Sequence, residues 1–169
     1  GFFHVPAGKI VFQRGYWDKL SFLKQIAADA PPVPMRRNSR EITDRMTLRQ
    51  IICNNNQAVI SMTDGVTPYG VMLNYAPLFD GKRLTMYFHC ALDGHKIDIL
   101  RQNPAVSVFV NDVDKTKIVS AGSDSAKWTT HYRSVILSGN IKLLTDYAQK
   151  DDAIRTFMRH YTDEPVEFP

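Results

Sequence analysis

The chain is poor in the features that usually announce chemistry or export. Only two cysteines, Cys53 and Cys90, occur in 169 residues. Neither belongs to a C-x-x-C pair, which argues against a disulfide scaffold and for a reducing, cytoplasmic setting. No apolar run approaches the ~20 residues needed to span a bilayer, and the N-terminus carries no charged-then-apolar signal pattern. A soluble, unexported protein is therefore expected. The five histidines include no H-x-x-x-H or H-E-x-x-H spacing that would set two imidazoles on one helical face. His89 and Cys90 are adjacent on an expected strand and point to opposite sides, so no metal site is expected. A Walker loop, a G-x-S-x-G elbow and a G-x-G-x-x-G turn are all absent, which removes the usual signals of nucleotide hydrolysis, serine catalysis and Rossmann dinucleotide binding. The basic excess is slight, with 21 Lys and Arg against 17 Asp and Glu, a net charge of +4 and a pI near 9.1. Its tight pairs are Arg36-Arg37 and Lys82-Arg83. So diffuse a charge fits a small anionic ligand at least as well as a nucleic acid, and no nucleic-acid or membrane partner is expected.

What the chain does have is the composition of a folded globule, 44 % hydrophobic and 11 % aromatic, without a low-complexity tract. Residues 1–34 read as an extension. Lys9 to Gln13 has strand character, Tyr16 to Ala28 carries an apolar helical face, and Ala30 to Pro34 is a stiff proline-rich linker. This part either packs on the domain, docks on a partner as an arm, or precedes a natural start at Met35. The domain proper is assigned to residues 35–169. Thr43 or Asp44 caps a short helix with Leu48, Ile51 and Ile52 on one side. Three strands follow, Ala58 to Met62, Tyr69 to Tyr75 and Arg83 to Cys90, joined by turns at Asp64-Gly65 and Asp80-Gly81. Beyond a helix that starts near Gly94 and stops at Asn103-Pro104 come a strand over Ala105 to Asn111 and a loop over Asp112 to Lys127. A long alternating strand over Trp128 to Leu144 has Gly139 as a place to bend, and a helix over Asp146 to Tyr161 closes the order. This is a mainly β chain with flanking helices, best satisfied by a small antiparallel barrel.

The stretch Tyr87 to Pro104 organises the candidate chemistry. A strand, a turn at Asp93-Gly94 and a helix opening on His95-Lys96 form a potential anion seat, because the first N–H groups of a helix lack internal acceptors and face a positive dipole end. The same residues also suit an ordinary connection with Asp93 as N-cap and Lys96 in solvent. A second cluster, Trp128 to Val135, strings aromatics, His131 and Arg133 along one strand. Tyr132 and Ser134 share a face there and Arg133 takes the other, so one ligand could engage all three only across two sides or two protomers.

Four segments together resemble the nitroimidazole-resistance (Nim) proteins of the pyridoxamine 5'-phosphate oxidase-like, FMN-binding split-barrel family. They are M-R-R-N-S-R-E-I-T-D (Met35 to Asp44), P-Y-G-V-M-L-N-Y (Pro68 to Tyr75), Y-F-H-C-A-L-D-G-H-K (Tyr87 to Lys96) and Y-R-S-V-I-L-S-G (Tyr132 to Gly139). The resemblance implies a six-stranded antiparallel split β-barrel, a homodimer with FMN in two interface clefts, and an oxidoreductase passing a hydride or two electrons to or from a small organic substrate. Nitroaromatic reduction is favoured over oxidation of pyridoxamine phosphate. It further implies that His95 and Lys96 hold the FMN phosphate with Ser134 and Arg133. Asn74, His89, Cys90 and Ala91 would line the ribityl chain and flavin edge, Ile60 and Met62 would support the ring, and Trp128 and Tyr132 would flank it from the partner subunit. His89 and His131 are the candidate proton donors. The rival class is a non-catalytic barrel storing or sensing flavin, or haem ligated by His89, His95 or His131. Two departures stand out. Met72 replaces the proline of the family's V-P-x-N segment, and the family's strand beyond Glu164 to Phe168 is missing, with Lys9 to Gln13 the expected replacement.

Overall fold

The computed structural model describes residues 2–7, 10–14, 38–81, 83–91, 93–119 and 122–165. The expected helix over Tyr16 to Ala28 and the linker over Ala30 to Pro34 lie outside them. Among the described residues there are eight strands in the order β2-β7-β6-β3-β4-β5-β1-β8. They are β1 (Phe2–Ala7), β2 (Ile10–Arg14), β3 (Gln57–Thr63), β4 (Pro68–Asp80), β5 (Arg83–His89), β6 (Ala105–Val119), β7 (Thr129–Asn140) and β8 (Lys142–Leu143). Three helices flank them: α1 (Arg45–Cys53), α2 (His95–Gln102) and α3 (Tyr147–Tyr161).

The sheet closes because β7 and β8 are one strand bent at Ile141. The β7 part pairs with β6, while β8 pairs with β1 through Phe3↔Leu143 and His4↔Lys142. Since β1 also pairs with β5, from Phe2↔His89 to Ala7↔Leu84, the ring β1-β5-β4-β3-β6-β7/β8 is a six-stranded antiparallel split barrel. Closure leaves strand edges unpaired within the ring only where neighbouring strands part. Strand β2 lies outside it, paired with β7 from Ile10↔Leu137 to Arg14↔Arg133. The bend falls at Ile141 rather than Gly139, which is paired with Val106. The Ile141 N–H leaves the β ladder and donates to Pro104 O at 2.8 Å.

Strand β4 makes the barrel a split one. Residues 68–74 pair with β3 and residues 75–80 pair with β5. At Asn74-Tyr75 the strand passes from one neighbour to the other, and β5 has ended at His89 by the level where the upper half of β4 begins. His95, the first residue of α2, stands beside Tyr69 of that upper half. Inside the barrel, alternation places Ala58, Ile60, Met62, Leu84, Met86, Phe88, Val106, Val108, Val110, Val135 and Leu137 in one core. Helix α1 plugs one end with Leu48, Ile51 and Ile52.

The cap of α1 has a pH signature. Asp44 accepts from the Thr47 N–H at 2.8 Å and the Thr47 hydroxyl at 2.6 Å, and these bonds hold its carboxyl below the usual 3.8. A depressed folded-state value gives stability that is complete above 3.8 and lost as pH falls below it through the folded value. Asp44→Asn is therefore expected to flatten the acid limb of a urea-midpoint against pH curve below about pH 4. An unchanged acid limb would show that this cap does not couple to folding.

The expected loop over Asp112 to Lys127 is corrected. Strand β6 continues to Val119 opposite Thr129, with an irregularity between Val113 and Ile118. Strand β3 pairs with β6 only over Ser107 to Phe109. The distal halves of β6 and β7 therefore run on past the barrel as a two-stranded ribbon.

Candidate functional site

Helix α2 begins at His95, and its cap is Gly94 rather than Asp93. Gly94 is the N-cap, with φ 99° and no side-chain cap bond, and its carbonyl accepts from Ile97 N–H at 2.8 Å and Asp98 N–H at 3.2 Å. A left-handed φ favours glycine here. A Cβ built at Gly94 would meet nothing within 4 Å, so the helix start faces open space, and the N–H groups of the first turn have no acceptor within their own helix. His95 stands edge-on to Tyr69 with ring centroids 5.0 Å apart. Lys96 is half-buried and close enough to Cys90 to act on its thiol electrostatically. Tyr69, His95 and Lys96 thus gather beside the upper half of β4.

Negative groups are also near: Asp93 precedes the Gly94 cap, and Asp98 lies in the first turn of α2. The Asp64 carboxylate in the β3–β4 turn interacts with His95, but it accepts from Thr67 N–H at 2.7 Å and Val66 N–H at 2.8 Å. These backbone bonds hold its pKa low and spend much of its charge locally.

At the split itself lie Asn74, His89, Cys90 and Ala91. Asn74 Oδ1 accepts from Gln57 Nε2 at 3.1 Å. His89 ends β5 with its ring 6.1 Å from Phe157 of α3, and partial burial lowers its pKa from 6.5, so the imidazole is neutral at pH 7. Cys90 is buried, its Sγ lies 3.1 Å from Ala91 O, and burial raises its pKa against the pull of Lys96. A thiol so placed is a small packing group, not a nucleophile.

The remaining expected residues are elsewhere. Ile60 and Met62 are 0 % and 4 % exposed, and their side chains fill the barrel core behind β3. Trp128 precedes β7 and is tied by its Nε1–H to Gly122 O at 2.9 Å, while His131 and Tyr132 are half-buried along β7. Arg133 does not face the helix start. Its Nε and Nη2 hold one Asp112 oxygen at 3.0 and 2.6 Å. Ser134 is buried opposite Asn111, at the other end of the barrel from Tyr69. Strand counting puts it ~17 Å along the strand direction from the Tyr69 level. One protomer therefore does not bring Ser134 or Arg133 to Lys96.

A cleft of ≈ 770 Å³ opens on the outer face of β3, β4 and β6. Its floor is apolar, with Val59, Met72 and Phe109 in cross-strand register. Polar groups surround it, among them Asn56, Gln57, Asn74, Asn111, Asp112 and Tyr161. Tyr161 is fixed there because its hydroxyl donates between Asn56 O at 2.7 Å and Tyr75 O at 3.1 Å. Sequence reasoning missed Tyr69, Gln57, Asn111 and Tyr161. The alternation of β3 and β4 would have put Gln57 and Asn74 on one face. The contact of Tyr161 with β4, 86 residues away in the chain, has no local signal.

Residues 44–168 match a family model described as pyridoxamine 5'-phosphate oxidase. Among solved structures, the chain is similar to a candidate 5-nitroimidazole antibiotic resistance protein from Bacteroides thetaiotaomicron VPI-5482. The TM-score is 0.61 at 24 % identity, covering 76 % of this chain and 72 % of that one. It is also similar to the flavocytochrome Anf3 from Azotobacter vinelandii, with a TM-score of 0.58 at 22 % identity over 75 % of this chain and 58 % of that protein. At these identities the likeness carries the fold. No curated protein matches the chain. Among the described residues, no helix is long and apolar enough to cross a membrane.

Proposed function

The chain belongs to the pyridoxamine 5'-phosphate oxidase family, and on that premise we propose that it is an FMN-dependent oxidoreductase acting on a small organic substrate. The observation that carries this reading is the Gly94 start of α2, open to solvent and flanked by Lys96, His95 and Tyr69, beside the stretch of β4 that has parted from β5. The chemistry fits a phosphate monoester. A helix start and an ammonium neutralise a dianion, and the glycine leaves room for its oxygens. Asn74 and the backbone of His89 to Ala91 would hold the remainder of the cofactor at the split. FMN supplies hydride or two-electron transfer when bound.

The chain's own residues then bind, orient and shield. Lys96 and His95 anchor the phosphate, the buried Ile60 and Met62 keep β3 rigid behind the site, and His89 is a neutral imidazole able to accept or relay a proton at the edge of the split. Because Ser134 stands at the far end of its own barrel, a second protomer is needed if the Trp128 to Ser134 ribbon is to complete the site. The homodimer is thus part of the proposal, and the exposed apolar groups of that ribbon support it: Ile118 is 67 % and Trp128 45 % exposed. Nitroaromatic reduction is the favoured reaction, a reading supported by likeness to a protein named for 5-nitroimidazole resistance.

The test is anaerobic. FMN-loaded protein, reduced by a nicotinamide donor, should be reoxidised by a 5-nitroimidazole with recovery of the oxidised flavin spectrum and formation of a reduced nitro product. Loaded protein that neither accepts electrons from the donor nor passes them to the nitro compound would overturn the oxidoreductase reading.

A further inference from the structure

The chain holds three Asp-Gly dipeptides, Asp64-Gly65, Asp80-Gly81 and Asp93-Gly94, and the fold treats each differently. A glycine after an aspartate carries no Cβ to shield its backbone nitrogen, so that nitrogen can reach the carboxyl of the side chain before it. At Asp64-Gly65 both groups are engaged. The carboxylate accepts from Val66 N–H at 2.8 Å and Thr67 N–H at 2.7 Å, and the Gly65 N–H donates to Thr63 Oγ1 at 3.0 Å. At Asp80-Gly81 a two-residue hairpin sets the backbone, because Asp80 closes the β4–β5 ladder opposite Arg83. Asp93-Gly94 lies in the bend between β5 and α2, outside any ladder, and both residues are exposed. Among the described residues, neither the Asp93 carboxylate nor the Gly94 N–H has a hydrogen-bond partner. The space around Gly94 is open, since a Cβ there would meet nothing within 4 Å.

We propose that Asp93-Gly94 is a modification site, where isoaspartate forms spontaneously at the entry to α2. The Gly94 nitrogen attacks Cγ of the protonated Asp93 carboxyl. The N–Cγ bond forms, a Cγ–O bond breaks, and one water leaves with the amide proton, closing a five-membered imide. Water then adds at the former main-chain carbonyl and opens the ring. The chain now runs through the Asp93 side chain, and the old main-chain carbonyl has become a free carboxylate. One water leaves and one returns, so the sum is an isomerisation with no oxidant, no reductant and no change in net charge. The product carries an extra methylene in the main chain directly before the Gly94 cap, which re-aims the first turn of α2 relative to Ala91 at the split. Its new carboxylate branches from the backbone at the positive end of the helix, where it competes with a phosphate for the N–H groups of that turn. This effect on the cofactor rests on the reading of α2 as the phosphate seat; the isomerisation itself does not.

The experiment holds the full, FMN-free chain at body temperature and mildly acidic pH for several weeks, then maps isoaspartate by digestion and mass spectrometry with fragmentation that separates the two linkages. Isoaspartate should accumulate at Asp93 at least about tenfold faster than at Asp64, where bonds to both reacting groups must break first, and faster than at Asp80. Asp93→Glu, whose longer side chain cannot close the five-membered imide, should abolish the signal at this position and leave those at Asp64 and Asp80 as they were. The aged protein should lose FMN-binding capacity by the fraction converted, while Asp93→Glu aged beside it keeps its own. Equal rates at Asp93 and Asp64, or no isoaspartate at Asp93, would overturn the proposal, and an equal loss of capacity in both proteins would overturn its effect on the seat. Failure of the FMN reading looks different: fresh protein would bind no FMN, while the isoaspartate map would be unchanged.

Discussion

Lys96→Ala is expected to raise the dissociation constant for FMN by about ten- to a hundredfold, because a charge-assisted contact to a phosphate is worth roughly 1.5–3 kcal/mol. Lys96 is the second residue of α2, so its ammonium adds to the field of the helix start rather than acting alone. The loss should be confined to the phosphate. Riboflavin, which lacks that group, should bind the variant and the unaltered protein alike, and this comparison separates a lost contact from a distorted site. His95→Ala should show a smaller loss in the same direction, since its ring is held edge-on by Tyr69 at 5.0 Å. An FMN affinity unchanged by Lys96→Ala would remove the phosphate from the start of α2.

The second large effect is on stability. Phe88 is fully buried and sits where the barrel divides, in register with Tyr75 on one side and with Phe3 on the other. Its ring centroid lies 6.1 Å from that of Tyr75, whose hydroxyl donates to Ile52 O of α1 at 2.6 Å. Burial strongly raises the Tyr75 pKa, so the phenol stays a neutral donor. Truncation at Phe88 leaves a cavity in the core that it shares with Leu84, Met86 and Ile97. Phe88→Ala should therefore cost about 3–5 kcal/mol, a large share of the roughly 5–15 kcal/mol that keeps a domain folded. The urea midpoint should drop steeply with little change in slope. Phe88→Leu should recover most of the loss, and a variant of unchanged midpoint would mean that the split is held by something other than this core.

Local rules in the sequence were enough for the inner strands. Asp44 before Leu48, Ile51 and Ile52 marked α1, glycine turns at Gly65 and Gly81 set the β3–β4–β5 meander, and alternation of Val106, Val108 and Val110 marked the core face of β6. Barrel closure was not legible, because it depends on pairings between residues as distant as Phe3 and Leu143, which no window of sequence contains. Ile60 and Met62 were assigned to the flavin by resemblance, yet a strand alternates its faces, and these two belong to the face that fills the barrel. Asp93 resembled a helix cap by residue type, but the chain turns through a positive φ one residue later, at Gly94. The anion seat was visible as a pattern, whereas the amide-lined cleft needed the third dimension to bring Gln57, Asn74, Asn111 and Tyr161 together.

The most direct test of the central claim is a paired titration of the flavin-free protein with FMN and with riboflavin, followed by quenching of flavin fluorescence. An anion seat at the start of α2 predicts that FMN binds at least about tenfold tighter than riboflavin, with the gap closing in Lys96→Ala. Equal affinity for the two flavins, or no binding of either, would contradict it.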